Sequence, residues 1–169
     1  MAAGSPALGP GGNNAIASLA PGQFSFFLQG TSLTYRQASN LPGTPGEFSA
    51  QILRRLRPVA GEADPPATLV LKQLGYLIAV APLSVAAQSA AWHMVASLPG
   101  LEMCGPGTDL SGRHGEGLCA DADGEQTELL VNKHTGSVLA IEVRLQHPSA
   151  AYPTVPSGSL ILSITFTGA

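Results

Sequence analysis

The segment from Leu98 to Glu142 limits the possible folds of this chain more than any other part of the sequence. From Leu101 onward apolar residues recur at every second position, and turn sequences rich in glycine interrupt them. Asp123-Gly124 and His134-Thr135-Gly136 mark two tight reversals, because glycine tolerates the positive φ that such turns require. We therefore predict a meander of antiparallel hairpins, with strands over residues 101–105, 114–121, 126–132, 137–146 and 158–167.

Two glycine-rich stretches of this segment superficially resemble phosphate-binding loops, namely residues 105–107 (GPG) and 112–117 (GRHGEG). Neither has the spacing, or the helix immediately after it, that a phosphate cradle needs. We interpret both as turns.

The part of the chain before Leu98 has helical periodicity instead. Thr44 suits an N-cap and Pro45 a first helical position, and the apolar residues that follow are spaced as on one face of a helix. We predict three helices, from Pro45 to near Arg57, from Pro66 to before Pro82, and from Leu83 to Leu98. Before them, residues 24–28 and 33–37 are short runs of strand-forming residues that predict two strands or one bent strand.

Composition and charge exclude several classes of function. The 169 residues fit one domain, and charged residues make up only 11 % of them, against roughly 25 % in ordinary soluble domains. A surface covered by neutral polar residues suits an exported protein. The formal net charge of -3 gives no electrostatic footprint for a polyanion, so nucleic acid is not an expected partner.

The start of the chain is interpreted as a flexible leader over residues 1–20, followed by a single α+β domain over 21–169. The leader lacks the basic and apolar regions of a signal peptide. Either an export signal or anchor has been removed, or the protein is cytoplasmic with a disordered start, and we favour the first, which predicts an extracytoplasmic domain. The longest apolar run, Leu74 to Ala87, is shorter than the ~20 residues a bilayer needs, so no membrane span is predicted.

The two cysteines, Cys104 and Cys119, lie on the two arms of a hairpin centred near residues 110–112. This arrangement places them opposite each other and predicts a cross-strand disulfide, provided that the compartment is oxidising. The alternative is a pair of small buried thiols. A zinc site would need further ligands at close spacing, and the histidines are widely scattered, so neither a metal nor a cofactor is predicted.

The strongest catalytic interpretation rests on Asp109 and His114, because a carboxylate near an imidazole can orient it for general-base work. The alternative is structural: Asp109 caps its own turn, and Arg113 restarts the strand with its side chain in water. No nucleophile lies in a recognisable catalytic sequence. Glu47, Glu128 and Glu142 are candidates for a carboxylate pair of the kind used in glycoside hydrolysis, but their spacing does not show whether two of them meet.

Aromatic and apolar residues from both halves of the chain are candidates for lining a cavity that takes an apolar ligand, although such residues also simply fill cores. The predicted ligand-binding residues are Phe24, Phe26, Leu77, Trp92 and His93.

Several short motifs in a fixed order resemble a family of actinobacterial exported or membrane-anchored proteins of unknown function. They are Pro21-Gly22-Gln23-Phe24, Leu41-Pro42 before the helix at residues 53–57, Leu98-Pro99-Gly100-Leu101, Thr108-Asp109 with Gly112-Arg113-x-Gly115, and Glu128-Leu129 through Thr135-Gly136 to Leu139. The resemblance implies a domain outside the cytoplasmic membrane, related to the fold of periplasmic lipoprotein carriers and sensors, in which a curved antiparallel sheet wraps around helices. The chain lacks hairpins that this family has before its first long helix, so a smaller sheet and a partly uncovered helical layer are expected. The resemblance implies no catalytic residues.

Together these observations predict an α+β fold in which a curved, mainly antiparallel sheet packs on a layer of about three helices. The predicted function is a noncatalytic extracytoplasmic binding or sensing domain for an apolar small molecule or peptide. A small enzyme acting on a hydrophobic natural product, with Asp109 and His114 as acid–base candidates, is the alternative. A third interpretation is a homodimer in which Ile161 and Ile164 of an exposed last strand extend the sheet across two chains.

Overall fold

The computed structural model describes residues 25–28, 31–56, 65–122, 124–147 and 153–167. These residues form an α+β fold with a five-stranded antiparallel sheet that does not close on itself, as the sequence predicts. The elements in chain order are β1 (Ser25–Leu28), β2 (Thr31–Thr34), α1 (Tyr35–Ser39), α2 (Pro45–Leu56), α3 (Ala67–Val80), α4 (Val85–Ala96), β3 (Glu102–Thr108), β4 (His114–Ala122), β5 (Glu125–Val131), β6 (Val138–Leu145) and β7 (Leu160–Thr165).

The three predicted helices are confirmed as α2, α3 and α4. The Phe48 N–H donates to the carbonyl oxygen of Thr44 at the start of α2, and the Ser84 hydroxyl accepts from the Ala87 N–H at the start of α4. Helix α3 lies on the sheet, and α4 packs against both α2 and α3. Within the described ranges, no helix is long and apolar enough to cross a bilayer.

The chain after β1 differs from the prediction. The pairing of Ser25–Leu28 with Thr31–Thr34 confirms two strands, but residues 35–37, predicted as strand, belong to α1. Thr34 caps this short helix: its hydroxyl accepts from the Gln37 N–H, and the Gln37 side chain accepts from the Thr34 N–H. This capping box satisfies two backbone donors at the turn into the helix, which favours helix over strand from Tyr35 onward.

The main sheet is a simple meander in the order β3-β4-β5-β6-β7, with every neighbouring pair antiparallel. The five predicted strands are confirmed with small shifts at their ends. Both stretches interpreted as turns lie largely in strands, since residues 114–117 belong to β4 and β3 continues to Thr108 through Gly105-Pro106-Gly107. For residues 105–107 the turn interpretation was wrong because β3 is an edge strand, where proline is tolerated, and because a bulge between Met103 and Gly105 absorbs the irregularity. For residues 114–117 the strand prediction was the correct one.

The main apolar cluster extends from the sheet through α3 to α2 and α4. Leu129 of β5 and Ile141 of β6 are cross-strand partners, and both are fully buried in the main apolar cluster. Gly75 of α3 has no side chain, and a Cβ there would lie 2.4 Å from Leu129 Cδ1 and 3.2 Å from Ile141 Cδ1. The helix therefore approaches the sheet closely at this point. Residues one position along each strand, such as Glu128 and Glu142, point to the opposite face of the sheet.

Candidate functional site

The turn between β3 and β4 is organised by the Asp109 carboxylate. Its Oδ1 accepts from the backbone N–H groups of Ser111 and Arg113, each at 2.9 Å, and its Oδ2 accepts from the Arg113 Nε at 2.8 Å. Asp109 is buried. These are the hydrogen bonds expected of a residue that caps its own turn, which was the structural interpretation of Asp109.

Arg113 and His114 lie differently from the predictions made for them. The Arg113 side chain is only 30 % exposed, and its Nη2 donates to the carbonyl oxygen of Leu139 at 2.9 Å, which attaches the turn to β6. His114 Nδ1 lies 2.9 Å from Thr108 Oγ1, while the Asp109 carboxylate is occupied by Ser111 and Arg113. A catalytic role for Asp109 and His114 stays a prediction.

Two opposing influences set the charge state of Asp109. Burial is the largest and raises the pKa of this carboxyl, but hydrogen bonds from the Arg113 backbone, the Arg113 side chain and the Ser111 backbone lower it, as does the positive charge of Arg113. The net result is a pKa below the ordinary value for aspartate. Asp109 is therefore ionised at neutral pH, as an anion held by donors rather than a base prepared to accept a proton.

The predicted disulfide is confirmed. Cys104 and Cys119 are joined with an S–S distance of 2.03 Å and a Cα–Cα distance of 5.8 Å. The bond links the edge strand β3, at its bulge, to β4. It lies on the face of the sheet that is turned away from α3.

Beside the disulfide, the same face carries a cluster of charged residues, Glu128 of β5 with Glu142 and Arg144 of β6. Glu128 is the cross-strand partner of Cys119 on one side and of Glu142 on the other. Glu142 is buried with only 7 % of its surface exposed, and Arg144 donates to its Oε2. The fold therefore brings two of the three carboxylates considered in the sequence analysis together, and leaves Glu47 on α2.

The two carboxylates of this cluster differ in their partners. Arg144 forms an ion pair with Glu142 and neutralises its charge. Glu128 is half-buried beside this pair. Burial is the main cause that raises the pKa of Glu128, repulsion from Glu142 raises it further, and attraction to Arg144 offsets part of the rise. Ser163 of β7, opposite Glu142, adds a buried hydroxyl that has no hydrogen-bond partner among the described residues.

Two glycines make room for the Glu128 carboxyl. A Cβ at Gly117 would lie 2.6 Å from Glu128 Oε1 and 2.8 Å from Cys104 Sγ, and a Cβ at Gly107 would lie 3.2 Å from Glu128 Oε1. A Glu128 oxygen and the two sulfurs all lie within 4.8 Å of one another. They do not form a zinc site as bonded here, because zinc takes thiolates and both sulfurs belong to the disulfide.

On the opposite face, a groove of about 260 Å³ lies between α3 and strands β6 and β7. Its walls are mainly apolar, with Tyr76 of α3 on one side and strand side chains on the other. The Tyr76 ring packs against Phe166 with the ring centroids 6.1 Å apart, which fixes one wall. The lining residues are Lys72, Gln73, Tyr76, Ile141, Leu162 and Ile164.

A second depression, of about 340 Å³, lies at the end of the β4–β5 hairpin. Its lining includes the ionisable residues Asp121, Glu125 and His147. The backbone N–H groups of Gln146 and His147 both donate to the carbonyl oxygen of Gly124, which holds the end of β6 against this hairpin.

Of the residues predicted to bind an apolar ligand, the three whose side chains the structure describes, Leu77, Trp92 and His93, do not line either depression. Leu77 is buried in the main core, Trp92 packs against that core, and His93 is exposed on α4. Phe24 lies outside the described residues, and Phe26 lies in β1, where only the backbone is described. Ligand-binding roles for these residues stay predictions.

Sequence reasoning missed Arg144, Ser163 and the residues of the α3–β7 groove. The Glu128–Glu142 pair had no sufficient signal either, because Val131 pairs with Val138 next to the turn and a register shift between Leu130 and Val131 then brings Glu128 opposite Glu142. The groove had no such signal, because it depends on how α3 lies across the end of the sheet.

Comparisons of the chain with protein-family models, with curated proteins and with solved structures find no match.

Proposed function

We propose that this chain is an extracytoplasmic binding domain that takes an extended apolar peptide along strand β7. The observation that carries the proposal is the position of the α3–β7 groove directly beside an unpaired strand edge. Among the described residues, β7 pairs with β6 and with nothing on its other side. An added peptide strand can form main-chain hydrogen bonds with such an edge and place a side chain in an adjacent pocket.

The hydrogen-bond pattern indicates which backbone groups of β7 are available. Phe166 N–H donates to the Leu139 carbonyl oxygen at 2.9 Å, so the next pair, Ala140 and Thr165, is not hydrogen-bonded. Because the two kinds of pair alternate along antiparallel strands, the Glu142–Ser163 pair is not hydrogen-bonded either. The backbone N–H and C=O of Ser163 therefore point away from β6, towards an incoming strand.

The two edges of the sheet differ in a way that favours β7 as the binding edge. Both edge strands carry a register shift, between Met103 and Gly105 of β3 and where β7 pairs with Val143 and Arg144 of β6. Only β3 also contains a proline, Pro106, which discourages pairing with another strand. Strand β7 runs from Leu160 to Thr165 with neither a proline nor a charged residue. Its Leu162 is 37 % exposed.

The chemistry of the groove defines the occupant further. About 260 Å³ is below the ~300–1,000 Å³ typical of drug-sized ligand sites, and it suits one apolar side chain. Lys72 is the cation at the groove, and no ion pair is seen for it within the described part of the chain. We therefore expect a peptide with an apolar residue and a carboxylate within reach of Lys72.

A second copy of the chain is a less favourable occupant. Two-fold pairing of β7 with its equivalent would place α3 of both copies on the same side of one seam. Both Lys72 side chains would then meet there without a described counter-charge.

Selection of displayed short linear peptides against the purified protein tests the proposal, with Ser163→Pro as the variant and Ser163→Ala as its matched control. We expect selected peptides to alternate apolar and polar residues, to bind Ser163→Ala as they bind the unmodified protein, and to lose affinity for Ser163→Pro by about tenfold or more, about 1.4 kcal/mol. Equal binding of the peptides to both variants would contradict the proposal. So would a dimer, detected by light scattering, whose interface covers β7.

The localisation part of the proposal is supported by the disulfide, because such bonds persist in oxidising compartments. Fractionation of the native host, followed by detection of the protein outside the cytoplasm, is the corresponding test.

A further inference from the structure

The two cysteines of the disulfide differ in exposure. Cys104 is exposed, at the bulge of an edge strand, whereas Cys119 is buried with 4 % of its surface exposed. An external thiolate attacks the sulfur it can reach, and exchange requires the other sulfur to leave. Attack is therefore directed to Cys104 Sγ, with Cys119 as the leaving group.

A carboxyl group is held beside the leaving sulfur. Glu128 is the cross-strand partner of Cys119, and its carboxyl oxygen lies within 4.8 Å of both sulfurs. The space it occupies exists because position 117 is glycine, where a Cβ would lie 2.6 Å from Glu128 Oε1. The arrangement places an acid next to the atom that becomes a thiolate.

We propose that the Cys104–Cys119 bond is a thiol-exchange site, at which an external thiolate forms a mixed disulfide with Cys104 and Glu128 donates a proton to the departing Cys119 sulfur. This inference concerns the face of the sheet opposite the proposed peptide groove. It stands or falls separately from the peptide proposal.

The exchange step conserves atoms, electrons and charge. The external thiolate forms a new S–S bond with Cys104 Sγ, and the Cys104–Cys119 bond breaks with its electron pair going to Cys119 Sγ. The proton of the Glu128 carboxyl moves to that sulfur, leaving a thiol at Cys119 and a carboxylate at Glu128. The external thiol is oxidised to its half of the mixed disulfide, and Cys119 is reduced.

The charges around Glu128 favour its acid form. Burial and the negative charge of Glu142 raise the pKa of Glu128, with partial compensation by Arg144. The negative charge of Glu142 disfavours a second anion beside it. Glu102 of β3, which pairs with Cys119, and Asp121 of β4 lie on the same face of the sheet and are exposed.

Glutathione is a suitable probe, with the oxidised protein incubated over a range from about pH 5 to about pH 8, where its thiolate fraction can be calculated. Acid quenching, alkylation and peptide mass spectrometry then identify the modified cysteine. We expect glutathione on Cys104 and the alkylating label on Cys119. The rate per glutathione thiolate should fall as pH rises, because Glu128 loses the proton that it donates.

Glu128→Gln is the decisive variant, since glutamine has nearly the same shape and cannot donate a carboxyl proton. Its thiolate-normalised rate should be at least about tenfold lower at the acidic end and independent of pH. The matched control is Glu116→Gln, which makes the same chemical change on the other face of β4, where Glu116 lies 3.7 Å from Lys133. The control should keep the profile of the unmodified protein.

Three results would overturn the proposal: glutathione attached to Cys119, a rate per thiolate of the unmodified protein that does not change with pH, or a Glu128→Gln profile identical to that of the unmodified protein. The second result needs no variant. The test therefore remains decisive even if a substitution disturbs folding.

Discussion

The two faces of the sheet use the same strands for different purposes. Towards α3, Leu129 and Ile141 are paired, fully buried and part of the main apolar cluster. One residue earlier and one later along the same two strands, Glu128 and Glu142 form a carboxylate pair on the other face. The apolar contacts that hold the sheet to the helices therefore lie on one face, and the ionisable side chains lie on the other.

Two glycines allow close packing, one on each face of the sheet. Gly75 admits Leu129 against α3, and Gly117 admits the Glu128 carboxyl against the disulfide. On the first face the missing side chain allows apolar packing, and on the second it makes room for a charged group. A burial pattern alone therefore does not describe this sheet, because both faces are substantially buried.

The largest effect is expected from truncating adjacent leucines that point to opposite faces. Leu129→Ala removes a fully buried side chain from the main cluster, and we expect it to lower the free energy of unfolding by about 4 kcal/mol. Leu130→Ala affects a small cluster with Leu139 and Ala140 and should cost about 2 kcal/mol. Urea unfolding of both variants measures the difference, and equal losses would show that the two faces contribute equally to cohesion.

The same contrast explains what the sequence could predict. Strand positions followed from period-two alternation, but the pairing of Glu128 with Glu142 depends on a register shift between Leu130 and Val131, which alternation does not predict. Alternation marks apolar positions, however, and gives no warning that a carboxylate on the other face is also buried. Pro106 was misleading because the strand or turn preference of a Gly-Pro-Gly sequence depends on whether it lies at an edge, which is a tertiary property.

The groove was beyond sequence reasoning for a related reason. Tyr76, Leu162 and Ile164 come from distant parts of the chain, and the angle at which α3 crosses β6 and β7 brings them together. The predicted set centred on Leu77 and Trp92 was chosen by residue type. In the fold, Leu77 lies in the core one residue after Tyr76.

A second prediction concerns the disulfide on the face away from α3. Replacing both Cys104 and Cys119 by serine removes a link with a sequence separation of 15, and a loop of about that length contributes about 3 kcal/mol to stability. We expect a loss of that size in urea unfolding. Reduction of the unmodified protein should reproduce it, and a much smaller loss would mean that the β3–β4 ladder alone holds the hairpin.

The next effect belongs to the Asp109 turn. Asp109→Asn keeps an oxygen acceptor for the backbone N–H groups but removes the charge that holds Arg113, and should cost about 2 kcal/mol at neutral pH. The folded-state pKa of Asp109 is lowered, so its contribution is present above the unfolded-state pKa and is lost as pH falls through the folded value. The stability difference between protein and variant should therefore shrink as pH falls below about 4. A difference that stays constant with pH would show that the Asp109 charge contributes nothing to stability.

The smallest expected effect has the opposite sign and lies within the carboxylate cluster. The pKa of Glu128 is raised in the folded protein, so the folded state binds the proton more tightly, and this contribution to stability is complete below the unfolded-state pKa and lost as pH rises through the folded value. Glu128→Gln removes the repulsion from Glu142 and should stabilise the protein at neutral pH by up to about 1 kcal/mol, the range for cross-strand pairs.

Glu116→Gln is the control for this last change, because it removes a partly exposed carboxylate that lies near Lys133, and it should be neutral or destabilising by less than about 1 kcal/mol. Opposite signs for the two substitutions in thermal unfolding would separate a carboxylate that opposes folding from one that does not. If Glu128→Gln instead destabilised the protein, the carboxyl would have to be a net contributor to folding through donors such as Arg144. The polar face would then also stabilise the fold, and the contrast drawn between the two faces would be wrong.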